Sequence, residues 1–405
     1  MTLLASLCLL LACAHVLGWL AERCGQPALL GQMVAGILLG PSVLSWLKPG
    51  DGLEAIADLS VLFVVITAGL EMRMKHLLDA ASGRGFIALS LGFLVPAVAA
   101  SIFTYTLGLA FIPAVVVVLC TSVTALPVAL RILSGFGLIN TRVARVSIAS
   151  SLMTDIVVVL VLGILIAVST QKAGVPLSIT IGTAILKLSL LLVIVGVCYY
   201  VCSRLSKRKP SWGAPNPRSR EDRILILSVL FMVGFGVVSE GLGSNFIIGV
   251  FLAALLVTGD LISETRFRNL EQTCELMTVS VFGPLFLAYQ GIQFEAGALK
   301  DEVFLLTLTS IAVVTKLIGG YMMARMKMLP RYEAYGVAII MNSRGVMEMV
   351  IASIAYRAGL VSQSLFSTLL IVGVLATVIT PSMLRYWLRD ATSMRAMMRA
   401  GESSA

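Results

Sequence analysis

VARVSIASSLMTDIVVVLVLGILIAVS, residues 143–169, decides how the rest of the chain is read. It is long enough to cross a bilayer as a helix, which takes about 20 apolar residues. Near its middle stands one carboxylate, Asp155, beside Thr154 and one turn after Ser151. An ionised carboxylate at mid-bilayer costs about 3 kcal/mol on insertion scales, so it marks a functional site unless a partner helix merely neutralises it.

The composition agrees with a membrane setting. Of 405 residues, 58% are hydrophobic and 13% charged, against about 25% charged in soluble domains. The expected fold is an all-α polytopic membrane protein of about 13 transmembrane helices. The apolar spans are 2–20, 28–44, 53–70, 85–108, 113–133, 143–169, 177–202, 224–239, 245–258, 274–290, 303–324, 334–355 and 365–386. Residues 2–20 lack the basic start of a signal peptide. Gly241-Leu242-Gly243-Ser244 reads as a tight turn between the eighth and ninth spans.

The net charge of +9 does not point to nucleic acid, because the basic residues sit between spans. With the N-terminus outside, 23 Lys and Arg fall in inside connections and four, Lys48, Lys172, Lys300 and Arg357, in outside ones. That bias sets the N-terminus outside and the C-terminus in the cytoplasm. The longest connection, 203–222, holds Pro210, Pro215, Pro217 and most of the basic cluster, and reads as a cytoplasmic linker. The seven Cys form no CxxC pair, and His15 and His76 have no metal-ligand spacing. No cofactor and no enzymatic machinery are expected.

The remaining three Lys and Arg belong to no connection and lie inside spans: Lys187, Lys316 and Arg344. Lys187 is near a span end, where it can snorkel. Lys316 is too deep for that and needs a partner, for which Asp155 is the natural candidate. The fifth span has Thr121, Ser122, Thr124 and Pro127 in its middle; the twelfth has Asn342-Ser343-Arg344-Gly345. Glu348 follows Arg344 by one turn, where the two can pair. That pair either holds a broken helix together, the favoured reading, or shapes the field around a neighbouring cation. Interrupted helices at corresponding places in two halves point to a transport site between inverted repeats.

At these residues the chain resembles the monovalent cation:proton antiporter-2 family, with a sodium/proton antiporter-like fold, nearest to plant cation/proton exchangers and their bacterial relatives. The matching stretches are 26–44, 59–72, 122–157, 282–293 and 341–359. The resemblance implies two crossed, broken helices in a core of spans 4–6 and 11–13 (residues 83–170 and 301–388). It implies a scaffold that dimerises, of spans 1–3 and 7–10 (1–82 and 171–300), followed by a short cytoplasmic tail, 389–405. Asp155 matches the ion-binding carboxylate, Ser151 a hydroxyl ligand, Thr124 the threonine at the first break, and Lys316 the basic residue of the adjacent helix. The family usually has Asp-Asp or Asn-Asp where this chain has Thr154-Asp155. An uncharged residue at the first position goes with electroneutral exchange.

The expected function is exchange of Na⁺ or K⁺ for H⁺ by alternating access, in a homodimer of a bacterial plasma membrane. The ligand set is Asp155, Thr154, Ser151 and Thr124, with Lys316, Arg344 and Glu348 as charge partners and unwound backbone carbonyls contributing. Two alternatives stand beside it: a cation uniporter or channel-like pathway gated by Lys316 and Asp155, and an exporter of an organic solute.

Overall fold

The computed structural model describes residues 2–71, 84–169, 177–207, 217–242, 245–258, 262–297 and 301–388. The basic stretch 208–216, the tail 389–405, Lys172, Lys300, His76 and the Gly243-Ser244 half of the expected turn lie outside them. The described residues are helical almost throughout. In chain order the helices are α1 (Leu3–Arg23), α2 (Ala28–Leu39), α3 (Asp51–Glu71), α4 (Arg84–Thr106), α5 (Phe111–Ser122), α6 (Leu126–Gly135), α7 (Arg142–Ser169) and α8 (Leu177–Lys207). Then follow α9 (Pro217–Gly241), α10 (Phe246–Leu256), α11 (Glu264–Met277), α12 (Gly283–Ile292), α13 (Glu302–Met326), α14 (Arg331–Met341), α15 (Val346–Arg357) and α16 (Gln363–Trp387).

Every expected span falls on one of these helices or on a pair of half-helices. Among the described residues, seven stretches are long and apolar enough to cross a membrane, and the others are shorter or interrupted. The interrupted 331–357 stretch is the most enclosed, at 94% of its window buried. A span that exposes unpaired backbone at its break survives in a bilayer only when protein surrounds it.

Two expectations need correction. The linker is shorter than 203–222: α8 runs to Lys207 and α9 starts at Pro217. Proline suits a first helical turn, where its missing N–H has no partner to lose. The tenth span is preceded by a polar helix, α11, that buries only Phe267, Leu270 and Cys274. Those positions form one narrow stripe on a helix whose charged residues give it the look of a loop. A π-helical turn, Thr278–Phe282, links it to α12. Pro127 accompanies the interruption of the fifth span. It lies in the first turn of α6, after the break.

By packing, the chain divides into two compact units. One comprises Ala57–Met74 and Val159–Gly283. In it α9 packs on α8, α10 and α11. Phe63 stacks on Phe282 at 4.1 Å, and the Thr67 and Thr278 hydroxyls meet at 2.7 Å beside the π turn. The other unit comprises Met1–Ile56, Lys75–Val158 and Pro284–Ala405. Here α13 is the central helix, packed on α4, α5, α14 and α16. Helix α5 packs on α15, and α6 on α14. The first half of each interrupted span thus lies against the second half of the other, as two helices crossed at their breaks must. This division follows packing, whereas a scaffold and a moving core divide a chain by movement.

Candidate functional site

The first break is the extended stretch Val123–Ala125, between the C-terminus of α5 and the N-terminus of α6. The second is 342–345, between α14 and α15. They are joined directly, for the amide of Ala125 donates to the carbonyl of Ser343 at 3.0 Å. Thr124 Oγ1 donates to the carbonyl of Met341 at 3.2 Å. From α16, Thr377 Oγ1 donates to the carbonyl of Arg344 at 3.0 Å, and Thr380 Oγ1 to that of Asn342 at 3.2 Å. All four carbonyls from Met341 to Arg344 therefore already accept a protein hydrogen bond. A helix end buried in a membrane needs such partners. Thr377 and Thr380 are not among the residues the sequence singles out. Their spacing of three is the signal that places both on one helical face.

Gly345 makes the second break possible. Its φ of 157° and ψ of −130° lie in a region open only to glycine. A side chain there would also run into Val128 of α6. Gly92 on α4 allows another close approach. A Cβ at that position would stand 2.8 Å from Ser150 Oγ of α7 and 3.2 Å from the methyl of Met341. Its bareness lets α4 approach both α7, the helix of Asp155, and the end of α14.

Arg344 is fully buried, and its guanidinium is directed at the other broken span. Nη1 donates to the carbonyl of Cys120 at 2.7 Å, and Nη2 to that of Thr121 at 2.6 Å. These are among the last carbonyls of α5, the negative end of its helix dipole. Nη1 also meets Glu348 Oε1 at 3.0 Å. Glu348 lies in the first turn of α15, where a negative charge suits the positive helix end. The pair expected at 344 and 348 is present within its own broken span, and Arg344 also reaches the end of α5 in the other.

Lys316 is fully buried at the centre of α13. Its ammonium donates to Thr124 Oγ1 at 2.7 Å and to the carbonyl of Gly92 at 3.2 Å. Asp155 is close enough for its charge to act on Lys316. Two neutral oxygens thus accept from the ammonium, within reach of the charge of Asp155. Thr124 consequently has its proton committed to Met341 and one lone pair committed to Lys316.

Asp155, Thr154 and Ser151 are buried together on α7. Both hydroxyls donate to their own helix, Ser151 to the carbonyl of Ser147 at 3.0 Å and Thr154 to that of Ser150 at 2.8 Å. With its proton so used, each oxygen is left with lone pairs only, which is what a hard cation needs. Near the breaks, Ser122 Oγ, Ser343 Oγ and Asn342 Oδ1 are buried and have no hydrogen-bond partner. Buried polar atoms of that kind are usually met by water or an ion. The sequence marks these three as break residues, not as candidate ligands.

Taken together, crossed helix breaks and a buried set of two acids and two bases define an ion-handling membrane transporter. The comparisons give the family. Residues 10–389 match the sodium/hydrogen exchanger family, transmembrane region, and the chain belongs to it. It is 28% identical to a Na(+)/H(+) antiporter of Enterococcus hirae over 398 residues, covering 96% of this chain and 98% of that one. It is 29% identical over 390 residues to the Na(+)/H(+)-K(+) antiporter GerN of Bacillus cereus, covering 93% and 94%. Its fold is similar to that of the sodium proton antiporter MjNhaP1 from Methanocaldococcus jannaschii, with a TM-score of 0.71 at 14% identity, over 95% of this chain and 96% of that one.

Proposed function

We propose that the chain exchanges a monovalent cation, Na⁺ or K⁺, for H⁺, with Asp155 as the group that binds either one. The observation that carries this is a buried carboxylate on a membrane helix, flanked by hydroxyl oxygens with only lone pairs to offer. One carboxylate holds a proton or a cation, not both. Competition at that group couples two opposed fluxes, provided the unoccupied site does not change sides. Membership of the exchanger family and likeness to relatives named as antiporters support the reading.

Asp155, Ser151 and Thr154 supply oxygens to the cation. Thr124 is the weakest member of the ligand set, because Lys316 and Met341 already engage it. Lys316 offsets the charge of Asp155 when no cation is bound. Arg344 and Glu348 lock the two breaks into one element, so that the core moves as a body. The charge distribution of the connections supports an external N-terminus and a cytoplasmic C-terminus. A homodimer fits the exposed apolar side chains of α1, among them Leu4, Val16 and Trp19.

The test is dissipation of an imposed pH gradient in proteoliposomes on adding Na⁺, K⁺ or Li⁺ separately. Cation-specific dissipation is expected. A current that needs no counter-gradient would instead identify a uniporter or channel.

A further inference from the structure

The end of α12 and the residues just after it make two kinds of contact. Toward α2 they pack backbone on backbone. A Cβ on Gly36 would run into the carbonyl of Ala288, and one on Gly291 into that of Met33. Ser42, just past α2, donates from Oγ to the carbonyl of Phe294 at 2.5 Å. Toward α15 and α16 the hydrogen bonds run through side chains. Gln290 Nε2 donates to Ser353 Oγ at 3.0 Å, and Gln363 Nε2 to the carbonyl of Gln293 at 3.2 Å. The amide of Glu295 donates to Ser367 Oγ at 2.9 Å. The Arg357 guanidinium stands 5.9 Å from the centre of the Tyr289 ring, and the charge of Glu54, near the start of α3, reaches it.

The two kinds of contact respond differently to movement. Where backbones touch, no side chain lies between them to rearrange, so α2 and α12 move as one body. Side-chain hydrogen bonds part at small net cost once water enters, because water takes up each freed donor and acceptor. Helices α15 and α16 also belong with the breaks. Helix α15 starts at the second break, and Thr377 of α16 donates to the carbonyl of Arg344 within it.

Alternating access requires a boundary beside the ion site that opens and shuts. Gln290, Ser353 and Ser367 are buried, so that boundary is shut at the end of the molecule that carries Arg357. At the other end of α16, the bond from Arg385 to the carbonyl of Gly25 is exposed. We propose that Gln290, Ser353, Gln363 and Ser367, with Arg357 over Tyr289, form a latch that shuts the Arg357 face. It parts once in each transport cycle, as α15 and α16 move past α12 and α2. By the charge of the connections this face is the external one. The latch rests on the exchange reading and adds to it which contacts must open.

The experiment uses sealed proteoliposomes of the full-length protein with known insertion sidedness, and Na⁺ or K⁺, whichever the wild type exchanges. Ser367 Oγ is near enough to the Glu295 amide to put the two residues within reach of a disulfide. In the double variant Glu295→Cys, Ser367→Cys, oxidation should arrest cation-driven proton flux and dithiothreitol should restore it. The wild type, with seven Cys of its own, and each single variant should stay active under the oxidant. Undiminished exchange with the cross-link verified by the mass of the joined peptides would overturn the proposal. Ser353→Ala decides where the cross-link does not form, the double variant does not fold, or the oxidant also stops the wild type. It weakens the shut arrangement alone, because water serves Gln290 once the latch is open. KM for cation added on the Arg357 side should therefore fall by about three- to tenfold, as the arrangement open to that side gains population. KM from the other side should hardly change. An unchanged KM on both sides, or a rise on the Arg357 side, would overturn the latch. Failure of the wild type to exchange any cation would refute the exchange reading instead, and is distinguishable from these.

Discussion

The ammonium of Lys316, from the centre of α13, lies 2.7 Å from the hydroxyl oxygen of Thr124 in the first helix break. This contact fixes what Thr124 can do. The hydroxyl donates to Met341 and accepts from Lys316, so the residue bridges α13, the first break and the end of α14. Thr124→Val keeps the volume and leaves a buried ammonium and a buried carbonyl each short of a partner. Such losses cost about 1–3 kcal/mol per group. We expect a lowered melting temperature of the detergent-purified variant, and Thr124→Ser to restore most of it. If valine melts like wild type, the bridge is not structural.

Arg344 gives a sharper expectation. Its replacement by Met leaves Glu348 buried without its cation, and leaves the carbonyls of Cys120 and Thr121 uncapped. Breaking one side of a buried pair costs about 3–5 kcal/mol. The double variant Arg344→Met, Glu348→Gln removes the stranded charge and should recover part of that loss. A double-mutant cycle measured by thermal unfolding checks this. Additive single losses would mean that the two side chains do not interact.

Gly345→Ala introduces a side chain at φ 157° and against Val128. Residues forced into such regions are strained by about 1–3 kcal/mol. Exchange should fall far more than stability does, because the strain is placed at the break itself. Side-by-side melting and flux measurements on one preparation would show the two losses in that order. Equal losses would make Gly345 a packing residue only.

Asp155→Asn keeps the volume and removes the only group on α7 that can trade a proton for a cation. We expect normal insertion and melting, and proton flux no greater than in protein-free liposomes. In the wild type, protons and cations compete at Asp155. The apparent KM for the cation should therefore rise as pH falls, while the maximal rate is held. A maximal rate that falls with KM constant would place the proton at another group.

Much of this architecture is legible in the amino-acid sequence. The spans follow from hydropathy, because apolar runs of bilayer length have few other uses. Asp155 and the residues of both breaks stand out as polar atoms at membrane depth. The Arg344–Glu348 pair follows from helical spacing. Contacts between distant residues are not legible in this way. Nothing along the chain says that Lys316 reaches Thr124, or that Arg344 caps α5 rather than its own helix. Both depend on how two breaks cross. Thr377 and Thr380 do not stand out, because single hydroxyls are common in membrane helices, where they bond back to their own backbone. Helix α11 is hidden for another reason: its apolar stripe is three residues wide.

The charge balance of the core makes the stoichiometry testable. Asp155 and Glu348 face Lys316 and Arg344, two acids against two bases, all buried. Exchange of one proton for one monovalent cation at Asp155 moves the same charge in each half-cycle, whatever the fixed charges contribute. Transport should therefore be electroneutral, and an imposed potential should not drive it. Thr154 is the residue on which this rests, since it stands where a second carboxylate would add a second proton. Its hydroxyl is committed to the carbonyl of Ser150 at 2.8 Å, so it contributes no titrating group. Lys316 is the alternative source of a second proton, should it release one in the cycle. Proteoliposomes with a potassium–valinomycin potential and Na⁺ as the test ion decide the matter. Accumulation of Na⁺ driven by potential alone, without a pH gradient, would refute the one-for-one cycle; repeating it in Lys316→Gln would show whether Lys316 is responsible. If Na⁺ is not transported, a different permeant ion must set the potential for K⁺. Thr154→Asp should then convert silent exchange into exchange that responds to potential, because a third buried acid brings a second exchangeable proton. If that variant folds, transports and stays insensitive to potential, position 154 does not set the stoichiometry.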